Sequence, residues 1–268
     1  MLPALHPEHL IAAMIPVVYL AMVAIERLGT GTRWPAVRGW QLTGVLFFMM
    51  LGVVNNFSAW ILAGLFDQAW LFDARGLGPV AGALAGYVLL SLGNALLHRA
   101  YHRSDWLWRH VHQLHHAPPR LDVAGVMYQS PLEALANACL FSLVTVFILR
   151  LDPVAAMGCA FLGAFYGMFQ HFNIHTPRWL GYFIQRPEAH CEHHRRGVHT
   201  ANFSDLPIWD LLMGSFLNPR RFEGELGFEP AAARRVIAML RGVDVNAGNR
   251  QSRHGPADAM PQSTRDGA

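Results

Sequence analysis

Five apolar runs limit what this chain can fold into more than any other feature. They cover 10–28, 40–66, 80–97, 132–149 and 154–172. A helix needs about 20 apolar residues to cross the hydrocarbon core of a bilayer. A segment in lipid must satisfy its own backbone hydrogen bonds, so runs of this length predict helices. The second run, 27 residues long, exceeds one upright crossing and implies tilt or an interfacial extension. The third is rich in Gly and Ala, which suits close helix contact in lipid. The first run competes with a signal peptide, but it lacks a basic leading stretch and a small-residue cleavage pattern. The expected fold is therefore all-α: a membrane bundle of four or five spanning helices.

Composition agrees. Charged residues make up 15% and hydrophobic residues 53% of the chain, which is apolar for a soluble protein. The net charge of +3 is small. No basic run interleaved with aromatics points to nucleic acid. The three cysteines imply no disulfide framework.

Arginine supplies all the Lys-plus-Arg charge, and its distribution orients the spans. The segments 27–39, 98–130 and 176–268 carry three, four and twelve arginines. The loops 67–78 and 150–153 carry one each. The rich segments alternate with the poor ones and are placed in the cytoplasm. Residues 1–80 are expected to be membrane spans and linkers, and 81–230 a second domain that carries the remaining spans and the polar segments between them. Residues 244–268 have the low hydrophobicity of a disordered tail.

That orientation brings one residue type to one face. Ten of the fifteen histidines fall into four tight groups. They are His98 and His102; His112, His115 and His116; His171 and His175; and His190, His193 and His194. Histidines three or four apart share a helix face, and two such faces can pinch one metal ion. Neighbours such as His115-His116 and His193-His194 point about 100° apart on a helix, so they suit two different ions. Imidazole binds zinc, copper, iron and nickel. Ten exceed the four ligands of a closed structural zinc site. A site of this charge calls for carboxylates that orient the rings. The candidates are Asp105, Glu133, Glu188, Glu192, Asp205 and Asp210. Trp106 and Trp108 suit a membrane interface. His110 lies off the group spacing, and Cys191 is read as packing.

The groups resemble the fatty acid hydroxylase superfamily, which includes sterol desaturases and C-4 methyl sterol oxidases. The similar text is Leu97 to His102, Leu107 to His116, Pro131-Leu-Glu133, His171 to His175 and Arg186 to His194. It closes with Asn202-Phe-Ser-Asp-Leu-Pro-Ile-Trp-Asp210 and Met213-Gly-Ser-Phe216. The resemblance covers roughly 85–220, and the first 80 residues carry little of it. At Gln129-Ser130 the chain departs from it, since relatives often carry a further histidine there.

The resemblance implies an integral membrane di-iron oxygenase, with two iron ions as cofactor and O2 as co-substrate. It would hydroxylate or desaturate a C–H bond of a lipid such as a fatty acyl chain or sterol. The ten histidines would be the metal ligands, with His199 as an additional candidate. Electrons would come from a separate ferredoxin or cytochrome b5-like protein. The chain would sit in the inner membrane, with a histidine-rich cap of short helices facing the cytoplasm. The alternatives are a membrane zinc hydrolase with Glu192 as base, or a metal-binding or transport protein.

Overall fold

Proline marks where most of the helices begin. It cannot donate a ladder hydrogen bond, and its fixed φ suits the first helical turn. In the computed structural model, which describes residues 6–29, 31–66 and 70–249, prolines stand at the first or second position of seven helices. The long helices are α1 (Pro7–Glu26), α2 (Trp40–Phe66) and α3 (Gly78–Arg103). A short α4 (Asp105–Leu107) winds into a π-helical turn, Trp108–His112. Next come α5 (Pro131–Ser142), continued by a π-helical stretch at Leu143–Ile148, and α6 (Pro153–His171). Four short helices follow: α7 (Pro187–His193), α8 (Pro207–Met213), α9 (Pro230–Ala233) and α10 (Val236–Leu240). Among the described residues there is no strand, only one isolated bridge between Arg195 and Leu226. Among the described residues, five helices are long and apolar enough to cross a membrane, in line with the five apolar runs. Of the expected tail, 250–268 lie outside the described residues, while 244–249 are placed, with Asn246 buried and Val245 N donating to Gln113 Oε1.

Side chains set several boundaries. Ser130 Oγ accepts from Glu133 N at 3.1 Å, and Asp152 accepts from Val154 N at 2.9 Å. Each fills an orphan donor at a helix start. Gly214 ends α8 with φ 68°, a conformation that glycine adopts without Cβ strain.

Helices α3 and α6 lie in close contact. A Cβ on Gly82 would stand 2.9 Å from the Ala155 Cβ, and one on Gly158 only 2.8 Å from the Ala83 Cβ. Small residues thus let the two backbones approach, as the third run implied. This contact sets the helix ends that carry His98, His102 and His171 beside each other.

The first two helices are tied to the histidine end. One Glu26 oxygen accepts from both Val123 N (2.9 Å) and Asn173 N (2.8 Å). Asn173 and Thr32 exchange two hydrogen bonds. Trp40 Nε1 donates to Asp122 at 2.8 Å. The N-terminal spans therefore brace the loops between the histidine groups, a role that short-range pattern alone does not disclose.

Candidate metal centre

Nine of the ten expected histidines meet in two adjoining groups. His98, His102, His112, His116 and His193 form one; His115, His171, His190 and His194 form the other. Within each, one nitrogen per ring lies within 4.8 Å of the rest. Each adjacent pair is split between the groups: His116 and His193 join the first, His115 and His194 the second. The groups share a wall, where the His116 and His194 rings stack with centroids 4.2 Å apart.

His175 stands outside both groups. Helix α6 ends at His171, and Phe172 is extended, with φ −67° and ψ 116°. The four-residue spacing therefore does not place His175 on His171's helical face. Its side chain is 61% exposed, with Nδ1 3.9 Å from Glu188. The second group also departs from a simple helix, because the chain passes through the π-helical turn and then through turns over 113–116. π-helical turns recur at functional sites.

Hydrogen bonds fix which nitrogen each ring turns inward. His98 Nδ1 lies 2.8 Å from the Phe203 carbonyl oxygen, and His193 Nδ1 lies 2.7 Å from that of Ala201. His171 Nδ1 meets the Gly167 carbonyl at 3.0 Å. His112 Nδ1 meets a Glu133 oxygen at 2.9 Å. A carbonyl only accepts, so Nδ1 of His98, His171 and His193 carries the proton and Nε2 presents a lone pair. A carboxylate imposes the same state on His112.

The Nε2 atoms converge within each group. His98 Nε2 and His112 Nε2 are 2.9 Å apart, and His112 Nε2 and His116 Nε2 are 3.1 Å apart. In the second group His190 Nε2 and His194 Nε2 are 3.1 Å apart. With Nδ1 protonated on both, His98 Nε2 and His112 Nε2 are acceptors that cannot hydrogen-bond one another, whereas a cation between them satisfies both. Nitrogens bound at about 2.1 Å and at right angles on one ion would sit about 3.0 Å apart. The buried Nε2 atoms of His102, His171 and His193 have no hydrogen-bond partner. The donor set therefore fits a pair of imidazole-bound ions.

Burial keeps the rings neutral. It holds His112, His115, His116, His190, His193 and His194 well below the ordinary histidine pKa, and neighbouring imidazoles add to the effect. Neutral imidazole is the ligating form. Cys191 is no rival ligand: it sits among Leu121 and Leu226, and burial raises its thiol well above the usual range.

The expected carboxylates do different things. Glu133 reaches a ring of the centre. Asp210 accepts from Phe203 N and Ser204 N, both at 2.9 Å, and from the Ser204 and Ser215 hydroxyls. It thereby fixes the turn whose carbonyl holds His98. Glu192 pairs with Arg195 at 2.7 and 2.8 Å. Glu188 accepts from Thr176 and lies 3.2 Å from the buried Arg186. Asp205 bonds Tyr87 and Ser91 on α3. Asp105 opens α4.

Trp106 is 60% exposed, as an interface residue can be. Trp108 is buried and stands beside His102 and His116, so the interface expectation fails for it: the π-helical turn points it inward. His199 packs against the His116 ring at 4.7 Å and lies outside both groups. His110 stacks on Trp106 at 4.8 Å, away from the centre.

The backbone cradle was missed as a role, although its residues stood in the quoted motif. Asn202 adopts φ 55°, a left-handed conformation that asparagine tolerates. It donates to the Ala189 carbonyl (2.8 Å) and accepts from Leu217 N (2.8 Å). The carbonyls on either side, Ala201 and Phe203, then reach His193 and His98. An Asn in a loop close behind a histidine group is the signal that points to such a turn.

Residues 83–215 match the model of the fatty acid hydroxylase family. An ornithine lipid hydroxylase of Rhizobium tropici is 28% identical over 160 residues. The match covers 58% of this chain and 48% of that protein, so the chain spans about half of that relative's length. A very-long-chain aldehyde decarbonylase of Oryza sativa, in both the indica and japonica subspecies, is 25% identical over 202 residues. That match covers 70% of this chain and 72% of the relative. No solved structure matches the chain.

Proposed function

Because this chain belongs to the fatty acid hydroxylase superfamily, we propose that it is a membrane lipid hydroxylase dependent on two iron ions and O2. The observation that carries the reading is the pair of buried imidazole groups whose ring nitrogens converge within 4.8 Å. The ligands in this reading are His98, His102, His112, His116 and His193 for one ion, and His115, His171, His190 and His194 for the other. When bound, iron supplies the redox chemistry with O2 that redox-inert zinc lacks.

The protein's part is binding, orientation and exclusion of water. Glu133 and the carbonyls of Gly167, Ala201 and Phe203 hold the Nδ1 protons of four rings, so each presents Nε2 without searching. The spans gather an apolar substrate from the bilayer and bring one C–H bond under the centre. Selecting one C–H bond among many similar ones is a matter of placement. An acyl lipid is the favoured substrate: one relative is named for an ornithine lipid and the other for a very-long-chain aldehyde. Two electrons come from a separate acidic donor, a ferredoxin or a cytochrome b5-like protein, docking on the arginine-rich face. We assign catalysis to residues 81–230 and place the centre on the cytoplasmic side of the inner membrane, where the arginines concentrate.

A hydrolase would need a carboxylate base. Glu192, the candidate, is instead engaged by Arg195. Lipid mass spectrometry of cells with and without the chain tests the proposal. Hydroxylation gives a product heavier by one oxygen atom, and desaturation one lighter by two hydrogens. His193→Ala abolishes the product while the protein stays in the membrane, and His175→Ala keeps it. A lipid profile unchanged by the chain would overturn the reading.

A further inference from the structure

The cap carries an apolar face that nothing among the described residues covers. Trp179, Tyr182 and Phe183 lie in the segment between α6 and α7, and Ile208, Leu211 and Leu212 lie on α8. All six are exposed, Phe183 at 67% and Leu212 at 73%. The two segments touch, and the Tyr182 and Phe216 rings, 6.0 Å apart, bridge them. On a water-facing cap this face would be a liability.

Its depth says what covers it. Helix α3 has 26 residues, about 39 Å at 1.5 Å per residue, against a hydrocarbon core of about 30 Å. With Gly78 at one boundary, the other falls about 20 residues on, near His98. Asp205 accepts from Tyr87 (2.6 Å) and Ser91, and Trp209 Nε1 donates to Ser91 at 3.2 Å. Ser91 lies about 10 Å inside that boundary. Leu206 joins a cluster made by Tyr87, Leu90, Val144 and Cys159, all from the spanning helices. At the other end of α8, the Met213 carbonyl accepts from Arg99 at 3.1 Å, back at the boundary. So α8 runs beside α3 within the outer about 10 Å of hydrocarbon, the depth at which interfacial helices lie. Arg99, Arg103 and Arg178 stand at its rim, suited to anionic headgroups.

We infer that residues 178–183 and 207–213 form a monotopic collar inserted into one leaflet beside α3, with lipid as the occupant of this face. The catalytic cap is then partly sunk in the membrane, and the sinking is set by Asp205 and Trp209 gripping α3. The inference needs only that the chain spans the bilayer. It stands or falls separately from the oxygenase reading.

Nitroxide labels on the full-length protein test it, in vesicles of phosphatidylcholine and phosphatidylglycerol. Exposed Cys139 is replaced by Ala, and single cysteines are introduced by Leu212→Cys, Phe183→Cys and, as a control on the exposed cap, Glu225→Cys. The labels at 212 and 183 should be more accessible to dissolved oxygen than to a water-soluble nickel chelate, shifted toward oxygen relative to 225. Two labels that behave like the one at 225 would overturn the collar. Labels shielded from both agents and broadened by spin–spin contact would show a second copy on this face, and would equally overturn it.

Discussion

Glu133 bears on the metal centre through a single contact. It is buried at the start of α5, and its Oε1 holds the His112 ring at 2.9 Å. Removing such a partner of a ligating histidine typically costs 10–100-fold in metal affinity. Glu133→Ala should therefore weaken metal binding by about that factor, while Glu133→Gln, which keeps an acceptor, should lose less. Metal titration of the purified apo-protein reads the difference, and equal affinities for both variants and the parent would show that His112 needs no such hold. Of the six carboxylates the composition nominated, only the fold tells them apart. Sequence spacing cannot show that Glu192 turns to Arg195, or that Asp210 acts through a backbone turn. Four-residue spacing carried the signal, since His98/His102, His112/His116 and His190/His194 each stay in one group, while the three-residue pairs His112/His115 and His190/His193 divide between the two. His175 was misplaced because that spacing has meaning only while the helix lasts, and α6 ends at His171.

The turn 201–205 links the cap to the ring orientation. Its conformation rests on Asn202, whose left-handed backbone and two side-chain hydrogen bonds set where the neighbouring carbonyls point. Asn202→Ala combines backbone strain with lost hydrogen bonds and should cost about 1–3 kcal/mol. Asn202→Gly relieves the strain and should cost less. Thermal melts of the detergent-solubilised protein order the variants, and an alanine variant as stable as the parent would refute the cradle's structural role. The five candidate spanning helices were legible as apolar runs, since length and apolarity alone mark them. The π-helical turn at 108–112 was not, because one extra residue in a helical turn leaves no mark on periodicity. With it went the inward course of Trp108.

At the scale of the molecule, the centre places many neutral imidazoles in one buried volume. His112, His115, His116, His190, His193 and His194 all have folded-state pKa values well below the ordinary one. An unfolded histidine takes up a proton near pH 6.5. Below that pH the unfolded chain binds more protons than the folded one, so the folded state loses stability as pH falls. The metal-free protein should thus melt at progressively lower temperature below about pH 6.5 and hold steady above it. A melting temperature flat from pH 7 to pH 5 would contradict neutral burial of these rings. Long-range placement is what the chain's pattern could not disclose: the bracing of 123 and 173 by Glu26, and the descent of 205–209 along α3, join residues about 100 or more positions apart.

The most direct measurement is the metal content of the chain after purification without oxygen. Two groups of imidazoles predict about two metal ions per chain, and the proposed oxygen chemistry requires them to be iron, one of the metals imidazole suits. A preparation that is folded, membrane-derived and free of iron, or that holds zinc in its place, would contradict the account.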